Sequence, residues 1–132
     1  MPYDFYLESE NEERMFTQET LEEMQRYIGN VPHYKVDNAF YYIFKDDAQR
    51  DIAIPYIASS RAKKENIYIY SGIGFKPTLI NLSVVGDNDV DRYLYDFVVW
   101  CQKRCPCQLY ELARPVPPEE LLSEEEEIPL ID

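Results

Sequence analysis

One helical stripe of apolar side chains restricts the fold of this chain more than any other feature. Its members recur three or four residues apart: Val90, Tyr93, Leu94, Phe97, Val98 and Cys101. This spacing places all six on one side of an α-helix, which a second layer must cover. Lys103 and Arg104 suit the negative C-terminal end of such a helix, and Pro106 ends it. The pattern therefore predicts a packed helix over 90–104, with Asp89 as its N-cap.

A second, shorter helix is predicted near the N-terminus, directly after a strand. Residues 3–8 alternate between apolar and polar side chains, which is typical of a strand with one buried face. The apolar residues that follow are again three or four apart: Leu21, Met24 and Ile28. Either Thr17 or Thr20 can cap this helix, because a threonine hydroxyl accepts a hydrogen bond from the free N–H groups of the first turn.

The middle of the chain carries β patterns. Residues 39–45 are rich in aromatic side chains, and residues 51–57 resume an apolar alternation after an aspartate-rich connection. These two runs predict a hairpin that turns at Asp46 and Asp47. Pro55 is expected at a sheet edge or a bulge, because proline donates no backbone hydrogen bond. Further strands are predicted over 67–71, 79–85 and 107–112, with a turn over 72–77.

The resulting element order is β-α-β-β-β-β-α-β, which predicts an α+β fold. Short connections favour a mostly antiparallel sheet of five or six strands. Both helices are expected to pack on one face of this sheet and to leave the other face at least partly open. Residues 1–113 are predicted to form the single α+β domain, and residues 114–132 an extended acidic tail rich in proline and glutamate.

The charge of the chain excludes several classes of partner. Its 25 acidic side chains outnumber its 13 basic ones, and the formal net charge is −12. Nucleic acid and anionic membranes are bound through clustered positive charge, so neither is expected as a partner. Eight of the acids lie in residues 111–132, where Arg114 is the only base and a helical turn is predicted near Pro118. This tail either keeps the protein soluble or engages a basic partner.

Few residues point to metal binding or catalysis. The candidate metal ligands are three cysteines and the only histidine: Cys101, Cys105, Cys107 and His33. Their spacing is not that of paired zinc ligands, and reduced thiols are the simpler interpretation. If the chain is exported, the alternative is one disulfide, between Cys107 and either Cys105 or Cys101. No recognisable nucleophile accompanies the one imidazole. We expect no metal, no cofactor, no catalytic residues and no enzymatic activity.

Recognition of another protein is better supported, because tyrosine is abundant. Twelve of the 132 residues are tyrosine, whose apolar ring and polar tip suit partly wet interfaces. If the isoleucines of 67–70 face the helices, the tyrosines between them face outward, as Tyr6 does on the first strand. The alternative is that these rings complete a small core. The predicted surface is aromatic, acidic and suited to a basic protein partner. Its residues are Tyr6, Tyr68, Tyr70, Asp46, Asp47 and Asp51.

This general plan resembles that of bacterial immunity proteins, which neutralise a cognate toxin. The resemblance covers residues 1–112: the opening strand over 2–8, the central aromatic strands and the helix over 90–104. It implies an inhibitor that occludes the basic active site of a toxin. The N-terminal sequence has neither a basic leader nor an apolar segment, so a cytoplasmic location is expected. Two other functions stay open: a structural or regulatory adaptor, in a phage or its host, that docks through the acidic tail, and a small enzyme of unknown reaction.

Overall fold

Seven strands and three α-helices form the part of the chain described by a computed structural model, residues 3–67, 69–85 and 90–122. The strands are β1 (Tyr3–Ser9), β2 (His33–Val36), β3 (Phe40–Ile43), β4 (Gly72–Phe75), β5 (Ile80–Val84), β6 (Cys107–Glu111) and β7 (Arg114–Pro115). The helices are α1 (Gln18–Ile28), α2 (Asp47–Ala62) and α3 (Asp91–Arg104). All neighbouring strands are antiparallel, in the order β2-β3-β4-β5-β1-β6-β7. The α+β class is confirmed, with more strands and one more helix than predicted.

The larger core lies between one face of the sheet and helices α1 and α3. The apolar stripe of α3 is buried there, except for the half-buried Tyr93, which stacks on Tyr27 of α1 with ring centroids 6.0 Å apart. Burying these side chains is the main source of stability for a fold of this kind. α1 begins as expected, since the Thr17 hydroxyl accepts a hydrogen bond from the N–H of Thr20 at 3.1 Å. Both predicted helices therefore exist and share one face of the sheet. Asp89 lies outside the described residues.

The hairpin predicted between 39–45 and 51–57 is wrong, because residues 47–62 form helix α2. Asp46 caps this helix: its Oδ1 accepts a hydrogen bond from the N–H of Gln49 at 2.8 Å. The Gln49 side chain in turn accepts one from the N–H of Lys45 at 2.9 Å. Two N–H groups at the helix start are thus satisfied by side chains, which stabilises the first turn.

α2 packs on the opposite face of the sheet, over β2 and β3. Its buried residues join a second, smaller core whose members are Val36, Tyr42, Phe44, Ala53 and Ile57. Pro55 lies in the helix interior but on its exposed side. The carbonyl that loses its usual helical donor belongs to Asp51, which is exposed as well, so water can replace the missing hydrogen bond. The two helices predicted from the sequence therefore share one face of the sheet, as expected, whereas the additional helix α2 covers part of the face expected to be open.

The strand predicted over 67–71 is also wrong within the described residues. Ile67, Ile69 and Tyr70 lie in no strand, and Tyr68 lies outside the residues described. The next strand is instead β4, in the segment predicted to turn. A hairpin joins β2 to β3, with Val36 opposite Phe40.

The chain after β6 packs against the larger core. β6 and β7 form a tight hairpin at the edge of the sheet. Val116 and Leu121 are buried with the residues of α3. The helical turn predicted near Pro118 is present as a 3₁₀ turn over Pro118–Leu121. Packing thus continues to Leu121, whereas residues 123–132 lie outside the described residues. In the described ranges, no helix has the length and apolarity needed to cross a membrane.

Candidate functional site: the open face of the sheet

Beyond α2, the second face of the sheet is covered by no helix of the described chain. We call this surface the open face, and it consists of the outward side chains of β5, β1 and β6. Its residues are Asn81, Ser83, Asp4, Tyr6, Glu8, Gln108 and Tyr110, all of them exposed or half-buried. Strand alternation creates it, because the residues between them point into the larger core. Every side chain on the open face is polar or has a polar tip.

Strand register arranges these side chains in rows. Tyr6 lies directly opposite Asn81 on one side and Tyr110 on the other. Directly opposed residues in antiparallel strands have Cβ atoms about 4.5–5.5 Å apart, so Tyr6 and Tyr110 are neighbours on the open face. Asp4 and Glu8 precede and follow Tyr6 by two positions on the same strand and therefore flank it on the same face. The centre of the open face is an aromatic row between two carboxylates.

A groove of about 630 Å³ adjoins this row at β4. Phe40 and Gly74 form one side of it, and Asp4 and Asn81 belong to its lining. The Phe40 ring lies directly on β4, because a Cβ atom on Gly72 would be 2.5 Å from Phe40 Cζ. A Cβ on Gly74 would be 3.0 Å from Phe40 Cδ2. The two glycines therefore let the Phe40 ring lie against the strand.

The open face carries negative charge that is not neutralised within the described ranges. Neither Asp4 nor Glu8 takes part in an ion pair there. The groove lining adds one base, Lys76, and one further carboxylate, Asp37, which is paired with Arg61. Asp4 and Glu8 are therefore the carboxylates of the open face that can still meet a cation on another molecule.

The structure distributes the predicted tyrosines differently. Tyr6 lies on the open face, half-buried, as its strand pattern predicts. Tyr70 packs toward the second core, with its ring centroid 5.5 Å from that of Phe44 and 6.2 Å from that of Tyr56. Ile69 is exposed, so the predicted alternation, with isoleucine inward and tyrosine outward, is reversed at these two residues. Tyr68 lies outside the described residues.

The three aspartates predicted for the binding surface, Asp46, Asp47 and Asp51, belong to α2 and its N-cap and not to a hairpin. Asp46 is the N-cap. Asp47 and Asp51 both approach the guanidinium of Arg50, at 3.3 Å and 3.4 Å. These contacts lie within the helix and its cap and stabilise its first turns. The structure therefore does not place the three aspartates on a strand beside Tyr6.

Sequence analysis missed Tyr110, Asp4, Glu8 and Asn81 as site residues, although a signal for three of them was available. Asp4 and Glu8 occupy the polar positions of the β1 alternation, and Asn81 occupies one in β5. A polar residue on a strand with one buried face points outward. The sequence of β1 does not indicate which strands pair with it, so the position of β1 between β5 and β6 could not be predicted from it.

The three cysteines and His33 are not brought together as one set of candidate ligands. All three cysteines are free, and in the described part of the chain no three His, Cys, Asp or Glu side chains are grouped to hold a metal ion. Burial raises the pKa of all three thiols, and together with Cys105 and Glu10 it raises the pKa of Cys107 to about 12. His33 Nδ1 lies 2.8 Å from the carbonyl oxygen of Val31, and its ring packs beside Tyr41. These groups have structural roles in the core and at a sheet edge.

Comparison of the chain with protein-family models, with curated proteins and with solved structures finds no match. The fold and the site define an α+β protein whose antiparallel sheet presents an acidic, tyrosine-bearing face.

Proposed function

We propose that this is a non-enzymatic binding protein whose open face docks a basic protein partner. The observation that carries the proposal is the juxtaposition of Tyr6 and Tyr110 between two carboxylates that have no described ion-pair partner, Asp4 and Glu8. Tyrosine is enriched where interfaces concentrate their binding energy, because its ring buries apolar area while its hydroxyl keeps a hydrogen bond.

The kind of partner follows from charge. Carboxylates beside an aromatic row favour lysine and arginine on the opposing surface, and the net charge of −12 attracts a basic protein over longer distances. Arginine is the best match, since its planar cation can stack on a tyrosine ring while donating hydrogen bonds to a carboxylate. The groove beside Phe40 offers further depth for a projecting side chain of the partner.

The most concrete form of this function is an immunity-type inhibitor that covers the basic active site of a cognate toxin in the cytoplasm. Support comes from the resemblance in plan to bacterial immunity proteins and from the acidity of the chain. Inhibition by occlusion requires a rigid, charged and partly aromatic surface and no catalytic group, which is what an open sheet face can supply.

The test is capture of the partner with the full chain as bait, in extracts of the native host, followed by mass spectrometry. A Tyr6→Ala/Tyr110→Ala bait should lose the partner, whereas a Tyr3→Ala bait should retain it. Tyr3 is a suitable control because it is 58% exposed and belongs to the same strand, but alternates toward the other face. The inhibitor proposal predicts that the captured protein is basic and harms cells unless this chain is co-expressed. Capture that persists in the double variant but disappears on deletion of residues 123–132 would instead favour the tail-docking adaptor.

A further inference from the structure

The outward side of α2 has an unusual composition for a helix surface in contact with water. Successive residues on this side are alternately four and three positions apart, which is the spacing of the contact residues in coiled coils. They are Ala48, Ile52, Pro55, Ser59 and Ala62, and all five are exposed. Ile52 is 75% exposed, and Tyr56, one turn further along, is 46% exposed. Exposed apolar side chains one turn apart form a contiguous patch, and such patches mark surfaces that can bind another molecule.

The two ends of this helix carry opposite charge. Asp47 and Asp51 lie in its N-terminal half, and their side chains are 74% and 69% exposed. At the other end, Arg61 is followed by Lys63 and Lys64, both exposed. Lys63 and Lys64 enter no ion pair with the described residues. The helix surface is therefore acidic at one end, apolar in the middle and basic at the other end.

This order of charges is complementary to itself. Arg61 is already paired with Asp37 of its own chain, so Lys63 and Lys64 are the bases that the helix can offer to another molecule. If two copies of α2 run antiparallel, with the two-fold axis near Tyr56, Asp51 of each helix meets Lys63 and Lys64 of the other. Asp51 lies five positions before Tyr56, and Lys63 lies seven positions after it, within reach of a long side chain, so the attraction is repeated on both sides of the axis. The small side chains of Ala48, Ser59 and Ala62 let the two backbones approach closely.

We propose that a second copy of this chain covers the outward side of α2, forming a two-fold symmetric dimer through antiparallel packing of α2 on α2. This inference does not depend on the proposed function, because it uses a different surface from the open face. A single pair of helices buries less area than a standard stable interface, so the dimer is expected to be weak and to dissociate on dilution. Parallel packing is disfavoured, since it would place like charges together at both ends.

Sedimentation equilibrium of the full chain over micromolar to millimolar concentrations tests the proposal. The wild type should shift from monomer to dimer within this range, and Ile52→Asp should raise the dimer dissociation constant about tenfold or more. Leu112→Asp is the matched control, because Leu112 is 88% exposed on the hairpin between β6 and β7. This variant should dimerise like the wild type. A wild type that stays monomeric throughout, or a dimer unchanged by Ile52→Asp, would overturn the proposal.

A pair of charge-reversed variants tests the antiparallel arrangement itself. Asp51→Lys replaces the acid that meets the lysines of the other copy by a base, and Lys63→Glu/Lys64→Glu replaces those lysines by acids. Each variant alone should associate more weakly than the wild type. Mixed together, they should form a heterodimer, since each end of one then meets the opposite charge on the other. Circular dichroism and thermal unfolding of each variant confirm that it is folded. If both variants are folded but their mixture associates no more strongly than each variant alone, the antiparallel dimer is contradicted.

Discussion

Tyr6 of β1 lies directly opposite Tyr110 of β6, although the two residues are 104 positions apart in the sequence. The pair shares a shallow hollow of about 420 Å³ with Glu8, Leu79 and Ala113. Two phenol rings and a carboxylate at one surface point are a compact recognition element for a cationic side chain.

Replacement of this pair by alanine should weaken partner binding without unfolding the protein. We expect Tyr6→Ala/Tyr110→Ala to reduce affinity about tenfold to a hundredfold, in the range of buried aromatic anchors at interfaces. Calorimetric titration with the captured partner measures this change, and Tyr3→Ala is the control. Because both rings lie outside the larger core, the melting temperature should change little. A double variant that unfolds would show that these rings belong to the core instead.

Removal of the open-face carboxylates should slow association and reduce its sensitivity to salt. Asp4→Asn/Glu8→Gln keeps the side-chain shapes but removes two charges, and electrostatic steering acts mainly on the association rate. Stopped-flow measurements across a range of ionic strength give this rate. The control is Glu19→Gln/Asp96→Asn, which removes two charges from α1 and α3 on the opposite side of the sheet. Equal effects of the two double variants would mean that only net charge matters, and not its position.

Gly72→Ala should destabilise the fold through one identifiable contact. The added Cβ would lie 2.5 Å from Phe40 Cζ and 3.1 Å from the carbonyl oxygen of Tyr41, so the Phe40 ring must move. Overpacking of this kind typically costs about 1–3 kcal/mol. Denaturant unfolding measures the loss, which should be smaller when Gly72→Ala is made in a Phe40→Ala background. A loss of the same size in both backgrounds would exclude the ring as its cause.

The segment after β7 should contribute to stability through the buried side chain of Leu121. Leu121→Ala removes a buried side chain from the larger core and should reduce the free energy of unfolding by about 2–4 kcal/mol. Leu122→Ala is the neighbouring control, since Leu122 is only half-buried and should tolerate the change better. Deletion of residues 114–132 should destabilise the protein far more than deletion of residues 123–132. Equal stability of the two truncated chains would show that residues 114–122 add nothing to the fold.

Stability should fall at alkaline pH because of the buried thiol of Cys107. Its pKa is raised from 9.0 to about 12, chiefly by burial. The folded protein therefore retains a proton that the unfolded chain loses above about pH 9, so this contribution is complete below pH 9 and is lost as pH rises toward 12. Unfolding free energies compared at about pH 7.5 and about pH 10.5 should drop by about 1–2 kcal/mol more in the wild type than in Cys107→Ala. An identical drop in both proteins would contradict this assignment.

The helices were predictable to the extent that their apolar residues recur with a helical period. The stripe of α3 and the three apolar residues of α1 place both elements on the sheet without further information. α2 escaped prediction because residues 51–57 alternate like a strand and contain Pro55, which usually interrupts a helix. The better signal was Asp46 followed by Gln49, a reciprocal capping pattern that indicates the start of a helix.

The candidate site was predictable in part. The alternation in β1 indicates that Tyr6 faces away from the larger core, and the structure agrees. The predicted placement of other candidates differs for a local reason: Asp46, Asp47 and Asp51 belong to a helix or its cap, and Tyr70 lies in a segment whose described residues form no strand. Tyr68 lies outside the described residues. The pairing of Tyr6 with Tyr110 depends on long-range register, which no local pattern contains.

The position of β1 in the sheet has a consequence for how the protein forms during translation. This first strand emerges from the ribosome early, yet both of its neighbours come much later, from residues 80–84 and 107–111. Its hydrogen bonds to β6 must therefore stay unmade until residues 107–111 have been synthesised, and such distant pairings are slow to form. Until its partners are synthesised, the nascent β1 segment exposes Phe5 and Leu7, which are buried in the folded protein, so it is open to chaperone capture or misassembly.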